Sequence, residues 1–263
     1  MSGIKELDLF QVDAFAERVF EGNPAAVVPL QQWLADDLLL KIAEENNLSE
    51  TAFIVPQGEG FQLRWFTPAA EVDLCGHATL AAAHVVFEHL GYAHKQVSFE
   101  SSSGELIVHR TEQGLMMDFP ATLPESVDVP EAISQVLDVE PQAVLLGFDH
   151  IVVLADEQQV LELAPDLSVL QRLDSRGVVF TAHGSNYDCV SRCFFPKLNV
   201  PEDPVTGSAH CQLAPFWAQR LNKNHILARQ ASRRGGTLQC VVVGDRVQIH
   251  GTAVDYLKGT IKL

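Results

Sequence analysis

The chain resembles itself at an offset of about half its length. Residues 75–78 read CGHA and residues 206–209 read TGSA, which sets an offset of 131. Further along, Gly91 aligns with Asn222 at the same offset. Each match is weak, but their shared order and spacing predict a duplicated unit. The competing interpretation is chance similarity between two glycine-containing turns.

In each half a strand leads through a loop into a helix. The predicted strands are Gln62–Thr67 and Asp188–Phe195, and the predicted helices cover residues 74–91 and 206–221. The first helix is apolar nearly all round, so it must be enclosed by the rest of the protein. Pro215 lies inside the second helix, where its missing N–H predicts a kink or a break.

These patterns predict an α/β (α+β) fold with two pseudo-symmetric halves. Each half is expected to be a curled, barrel-like, mostly antiparallel sheet around one central buried helix. Residues 1–122 would form the first half and residues 123–263 the second, with allowance for a C-terminal strand that crosses over. The boundary falls where the segment ATLPESVDVP, residues 121–130, carries two prolines.

Composition and charge exclude several classes of partner. The formal net charge of −16, from 18 basic and 34 acidic residues, disfavours nucleic acid. No run of 18 apolar residues is present, so no membrane span is predicted. The five cysteines are irregularly spaced and no export signal is visible, which predicts reduced thiols in a cytoplasmic protein. The expected partner is a small molecule, and a homodimer is the candidate assembly.

The starts of the two helices are candidate anion-binding sites. They read Cys75-Gly76-His77 and Thr206-Gly207-Ser208. The N-terminus of a helix presents unpaired N–H groups and a partial positive charge, and glycine lets a ligand approach the backbone. Two such starts would hold a carboxylate, or stabilise an enolate-like charge as it develops. The alternative is that both glycines only satisfy packing.

Acid and base candidates lie around these helix starts. Glu50 stands where a polar loop enters an apolar strand, and the matching place in the second half, SRGVVF, has no carboxylate. It is the candidate proton carrier. His77 is expected to be neutral beside the positive end of the helix dipole. Asp203 and Ser208 could support the reaction, or simply flank and cap the second helix.

Cys75 and His77 invite a nucleophilic interpretation, but their spacing argues against it. Residues two apart on a helix point in different directions, so the thiol and the imidazole are not expected to pair. No metal site is expected, since the spacing of Cys189 and Cys193 lacks a second ligand pair.

The motifs together resemble the phenazine-biosynthesis isomerase-like (PhzF-like) family, which shares its fold with diaminopimelate epimerase. The matching segments span essentially the whole chain: VDAFAERVFEGNPAAVV (12–28), NLSETAF (47–53), WFTPAAEVDLCGHATLAAAHV (65–85), EDPVTGSAH (202–210), ASRRGGTL (231–238) and GDRVQIHGTAV (244–254).

This resemblance implies an active site between two similar halves and an isomerase that needs no cofactor. It implies that Glu50 of NLSE moves the proton and that His77, Asp203 and Ser208 complete the site. Asn23 of GNPAAV would lie nearby. Cys75, Gly76, Thr206, Gly207 and Ser208 would bind the substrate, which is expected to carry a carboxylate.

The epimerase relatives of the family use two cysteines, one before the glycine of each repeat. This chain keeps Cys75 but has Thr206 at the second position. A threonine hydroxyl is too weak a base to replace a thiolate, which favours an isomerisation by one carboxylate. Two alternatives stay open: a cofactor-independent epimerase or racemase that uses Cys75, and a non-catalytic protein that binds small anions.

Overall fold

The computed structural model describes residues 6–263. The strands are β1 (Glu6–Ala14), β2 (Asn23–Pro29), β3 (Glu50–Gln57), β4 (Gly60–Phe66), β5 (Glu71–Val72), β6 (Gln96–Ser101), β7 (Gly104–Thr111), β8 (Gly114–Pro120), β9 (Glu125–Ser126), β10 (Ala143–Leu146), β11 (His150–Val153), β12 (Val178–Ala182), β13 (Cys189–Phe195), β14 (Val200–Asp203), β15 (His225–Gln230), β16 (Gly236–Val243), β17 (Arg246–Gly251) and β18 (Ala253–Lys262). The helices are α1 (Asp36–Asn46), α2 (Gly76–His89), α3 (Glu131–Val136), α4 (Glu157–Leu161), α5 (Leu167–Leu170) and α6 (Gly207–Leu221), with a 3₁₀ turn at Pro196–Leu198.

The chain divides into two compact units. The first runs to Asp118 and takes in His250–Leu263, and the second covers Phe119–Ile249. The first unit thus ends four residues before the boundary expected after residue 122, and it includes the C-terminal strand. The physical reason is that β18 pairs with β1 along almost its whole length.

Strands of the first unit pair in a fixed order. The antiparallel strands β18, β1 and β2 lead to β3, which runs parallel to β2. The next strand, β4, is antiparallel to β3, takes the short β5 on one side and runs parallel to β6. The sheet continues antiparallel through β6, β7 and β8.

Strands of the second unit repeat this order. The antiparallel pair β10 and β11 leads to β12, which runs parallel to β11, and β13 is antiparallel to β12. The short β14 pairs with β13, which also runs parallel to β15, and β15 is antiparallel to β16. In both units the second parallel crossover carries the long helix, α2 or α6. An internal duplication would produce this topology.

Each long helix is buried within its own unit. Every residue of α2 from Ala78 to Phe87 is buried except His84, and the helix contacts β1, β2, β3 and β18. Most of α6 is buried as well, and it contacts β15 and β16. The two-unit α/β fold with one central buried helix in each unit is confirmed.

Helix α6 continues through Pro215 instead of breaking there. Proline cannot donate to the carbonyl four residues earlier, which belongs to Cys211. That carbonyl accepts a hydrogen bond from the backbone N–H of Thr122 at 2.9 Å. Because the acceptor is satisfied from outside the helix, the proline leaves no buried carbonyl unpaired, and the expected break is wrong.

No helix within residues 6–263 is long and apolar enough to cross a membrane. The five cysteines are all free and buried.

Gly22 is required where the chain turns from β1 into β2. Its φ is +66°, and a Cβ built on it would lie 2.1 Å from the carbonyl oxygen of Ala14. The oxygen belongs to β1 and cannot move aside, since Ala14 pairs with Asn23. Gly22 therefore fixes the approach of the chain to the residue that begins β2.

We predict that Gly22→Ala lowers the free energy of unfolding by about 2–4 kcal/mol, because steric overlap adds to the cost of positive φ. The matched control is Gly58→Ala. Gly58 has φ +59° with no atom within 4 Å of the added Cβ, so only the backbone cost of about 1 kcal/mol applies. Urea unfolding of both variants measures the difference, and equal losses would contradict the prediction.

Candidate active site

The first cluster of polar residues forms where two parallel strands begin. Asn23 is the first residue of β2 and Glu50 the first residue of β3. The register places Ala25 opposite Glu50, so the two strand starts lie side by side. Asn23 is fully buried and the Glu50 side chain is 17% exposed. A ligand can therefore reach the carboxylate of Glu50, whereas the amide of Asn23 is closed off from solvent.

His77, the second residue of α2, joins this cluster. Its Nε2 lies 3.0 Å from Oε2 of Glu50. Its Nδ1 lies 3.2 Å from the side-chain nitrogen of Asn23 and 3.4 Å from Sγ of Cys75. The contact with Glu50 has ion-pair distance but lacks hydrogen-bond alignment among the described residues. The structure thus brings together four predicted site residues of the first half, with Gly76 between two of them.

The contact with Asn23 decides how the neutral imidazole carries its proton. The amide NH₂ of Asn23 donates to Nδ1, which leaves the proton of the neutral ring on Nε2, beside Glu50. A second proton on Nδ1 would require the amide to present its oxygen. For the neutral ring, Asn23 therefore favours the tautomer that carries its proton on Nε2, 3.0 Å from Glu50.

The pKa of His77 is raised well above its ordinary value of 6.5. Burial alone lowers it, but the negative charges of an ionised Cys75 and of Glu50 raise it by more. Because the thiol of Cys75 is protonated at neutral pH, the carboxylate of Glu50 is the charge that stays beside the ring there. The upward direction runs against the neutral ring expected from the helix dipole, and a carboxylate lies 3.0 Å from Nε2.

Cys75 does contact His77, contrary to the argument from helical spacing. Cys75 is the N-cap of α2, with extended φ and ψ of −144° and 109°. A residue outside the helix does not follow its angular periodicity, so its side chain can turn toward His77. Burial raises the pKa of the Cys75 thiol, and the charge of Glu50 raises it further. The sulfur is thus a neutral thiol at neutral pH, not an activated nucleophile.

In the second unit a hydrogen-bond network surrounds the start of α6. The hydroxyl of Thr206 donates to Asp203 at 2.5 Å. The backbone N–H of Thr206 donates to the side-chain oxygen of Gln230 at 2.8 Å, and the amide nitrogen of Gln230 donates to the carbonyl of Asp203 at 2.7 Å. Asp203 and Thr206 are therefore held together, and Gln230 occupies one N–H at this helix start.

Ser208 contacts a cation that the sequence analysis missed. Its Oγ accepts a hydrogen bond from Arg176 at 3.0 Å. Arg176 also forms a bidentate pair with Asp149, at 3.0 and 2.8 Å, and Asp149 is fully buried. Gln212 donates to the same carboxylate at 3.0 Å. The sequence signal for this cation is the segment SRGVVF, which matches the segment of Glu50 and contains Arg176 where a carboxylate is lacking.

The two units place different charges at the same topological position. In the first, Glu50 begins β3 and contacts the second residue of α2 at 3.0 Å. In the second, Arg176 lies two residues before β12 and contacts the second residue of α6 at 3.0 Å. The carboxylate of one unit thus corresponds to the guanidinium of the other.

Within residues 6–263, two groups of side chains have ligand atoms close enough to share a metal ion. The first is Glu50, Cys75 and His77, and the second is His84, His89 and Asp255. In the first group burial raises the pKa of the thiol, which disfavours the thiolate that a metal needs. Its arrangement fits proton transfer better than metal binding.

Comparison with known proteins matches nearly the whole chain. A family model described as "Phenazine biosynthesis-like protein" covers residues 12–259. An uncharacterized isomerase of Pseudomonas aeruginosa is 52% identical over 258 residues, which make up 98% of this chain and 100% of the relative. A crystal structure of a PhzF family protein from Enterococcus faecalis has a TM-score of 0.96 at 48% identity, covering 98% of this chain and 100% of that one.

These findings define an isomerase. The chain belongs to the phenazine biosynthesis-like family, as the sequence motifs indicated. More distant proteins share the fold. A hydroxyproline epimerase from Agrobacterium vitis, solved with bound trans-4-OH-L-proline, has a TM-score of 0.62 at 13% identity, covering 100% of this chain and 94% of that one. The expected epimerase-like fold class is confirmed.

We predict that Glu50→Gln lowers the pKa of His77, because it removes the charge that stabilises the protonated ring. A folded-state pKa above 6.5 contributes stability that is present below pH 6.5 and is lost as pH rises through the folded value. The loss of stability in Glu50→Gln should therefore be larger at pH 6 than at pH 9. NMR titration of the ring and urea unfolding at both pH values check this.

The matched control is Glu45→Gln, because Glu45 is exposed on α1. It should leave the His77 titration unchanged. An unchanged titration in Glu50→Gln as well would show that Glu50 does not set the protonation of His77.

Proposed function

We propose that this isomerase shifts a proton between carbon atoms of a small, carboxylate-bearing metabolite without a cofactor, and that Glu50 carries the proton. The observation that supports this most is the contact between the partly exposed Glu50 carboxylate and His77 at 3.0 Å. A proton shift needs a base that can return the same proton as an acid, and a carboxylate coupled to an imidazole meets that need.

In the proposed reaction Glu50 removes a proton from one carbon of the substrate. The electron pair of the C–H bond moves into the conjugated system and its negative charge spreads toward the carboxylate. Glu50, now protonated, delivers the proton to a second carbon of the same system, and the double bond shifts accordingly. The atoms balance without an oxidant or a co-reactant, and the carboxylate is regenerated.

His77 has a supporting role in this scheme. Its Nε2 faces the carboxylate of Glu50, and its raised pKa makes it a good partner for a shared proton. Asn23 holds the ring from the other side through Nδ1. Cys75 and Gly76 form the helix start on which His77 stands, and their place there suits contact with the substrate rather than proton transfer.

For the second unit we propose that the start of α6 binds the substrate carboxylate. Thr206, Gly207 and Ser208 form this start, and Arg176 adds a positive charge at Ser208. Donors at a helix N-terminus together with a guanidinium favour an anion. Asp203 holds the hydroxyl of Thr206 at 2.5 Å and so orients this residue.

Two alternatives differ from this proposal in what they require. An epimerase or racemase would use Cys75 as a base. The observation that favours this alternative is the thiol's position 3.4 Å from Nδ1 of His77. A non-catalytic anion-binding protein would need the helix starts but not Glu50.

We predict that the protein exchanges carbon-bound hydrogen with solvent in a screen of small unsaturated and amino carboxylic acids in D₂O. For a compound that exchanges, Glu50→Gln should lower kcat by about 10²- to 10⁴-fold, because the amide cannot accept the proton. Mass spectrometry of the recovered acid gives the rate, and circular dichroism checks the fold of the variant.

The exposed Glu45→Gln serves as the control and should exchange hydrogen at the rate of the unmodified protein. If Glu50→Gln turns over at that rate too, Glu50 is not the proton carrier. If acids bind but never exchange, the anion-binding alternative replaces the enzyme.

We predict that Cys75→Ala lowers kcat less than 10-fold, since the thiol is buried and protonated at neutral pH. Its main effects should be on packing and on KM. Steady-state kinetics on the compound found in the screen measure both constants. A drop in kcat of about 10³-fold or more would instead favour the epimerase that uses Cys75 as a base.

A further inference from the structure

A second cluster of potential ligands lies on the first unit, away from Glu50. His84 Nε2 is 3.2 Å from Oδ1 of Asp255, and His89 Nε2 is 3.0 Å from each oxygen of that carboxylate. At 1.5 Å per residue, His89 lies about 18 Å beyond His77 along α2. The cluster is therefore separate from the candidate active site.

The surroundings of these side chains are unusual for residues with no role. His84 is the one residue of α2 between Ala78 and Phe87 that is not buried. Asp255 lies beside a β-bulge, because Val12 pairs with Asp255 while Gln11 pairs with Leu257. A bulge changes the direction of a neighbouring side chain. Where the three side chains meet, the continuous burial of the helix is interrupted and the pairing of the strand is shifted.

We propose that His84, His89 and Asp255 bind a divalent transition-metal ion of the zinc type, with water completing the coordination. Zinc takes imidazole nitrogen and carboxylate oxygen at about 2.0–2.2 Å, so two ligands of a tetrahedral site lie about 3.3 Å apart. The separations of 3.0–3.2 Å between the imidazole nitrogens and the carboxylate are close to that value, and all the ligand atoms lie within 4.8 Å of one another.

Charge and access also suit a cation. The side chains of His84, His89 and Asp255 are 15%, 18% and 43% exposed, so an ion can enter from solvent. The net charge of −16 attracts cations to the protein surface.

The ion would fasten the C-terminal strand to the central helix. His84 and His89 belong to α2 and Asp255 belongs to β18, which pairs with β1 in the first unit. Metal bound only by the folded state stabilises that state by mass action. The thermal midpoint of unfolding should therefore rise with the logarithm of the metal concentration.

The test uses the full chain after treatment with EDTA, titrated with Zn²⁺ by calorimetry and with Co²⁺ by absorption. We expect one ion per chain and a visible Co²⁺ spectrum without a sulfur-to-cobalt charge-transfer band. His89→Gln and Asp255→Asn should each weaken binding at least 10-fold and remove the zinc-dependent rise in the thermal midpoint. Asp255→Asn preserves the size of a partly exposed side chain, so it is expected to fold.

Two controls separate this cluster from other ligands. His94→Gln removes an exposed histidine of the same unit, and Cys75→Ala removes the sulfur of the other cluster; both should bind as the unmodified chain does. Loss of binding in Cys75→Ala, a sulfur charge-transfer band, unchanged binding in Asp255→Asn, or no binding at about 1 mM metal would each overturn the proposal. In those cases the three side chains form only a hydrogen-bonded contact.

Discussion

The enclosure of α2 is the constraint on which the first unit depends. From Ala78 to Phe87 this helix offers almost no polar surface, so strands must cover it on every side. Covering it brings β2 and β3 against it with their first residues near the helix start. Polar side chains are therefore tolerated mainly where the covering strands begin or end. The packing of an apolar helix thus determines where Asn23, Glu50 and His77 meet.

The same enclosure affects the contacts within the cluster and the pKa of His77. A buried polar group left without a partner costs about 1–3 kcal/mol, which favours bringing these side chains together. Asn23 meets His77 on one side and Glu50 meets it on the other, at 3.2 and 3.0 Å. Out of bulk water nearby negative charge acts strongly on the ring, and the charges of an ionised Cys75 and of Glu50 raise the pKa of His77 despite burial.

Local patterns predicted what depends on local chemistry. The bounds of α6 and its left-handed end at Asn222 followed from the sequence, because capping and periodicity act within a few residues. Such patterns could not predict contacts between segments that are far apart in the sequence. Nothing near Pro215 shows that Thr122 will satisfy the carbonyl of Cys211, and nothing near Ser208 shows that Arg176 will reach it. The contact of Cys75 with His77 was missed because a helical rule was applied to an N-cap.

The two units repeat one topology but do not carry the same charged groups. Each unit presents a glycine-containing helix start and a charged side chain near the strand of the first parallel crossover. In the first unit that side chain is Glu50, which can accept and return a proton. In the second it is Arg176, which stays protonated and is held by the buried carboxylate of Asp149. A guanidinium cannot act as a base at neutral pH, so under the proposed mechanism the acid–base step falls to the first unit. In that proposal the second unit supplies a positive charge that suits an anion, and the difference at one position separates proton transfer from binding.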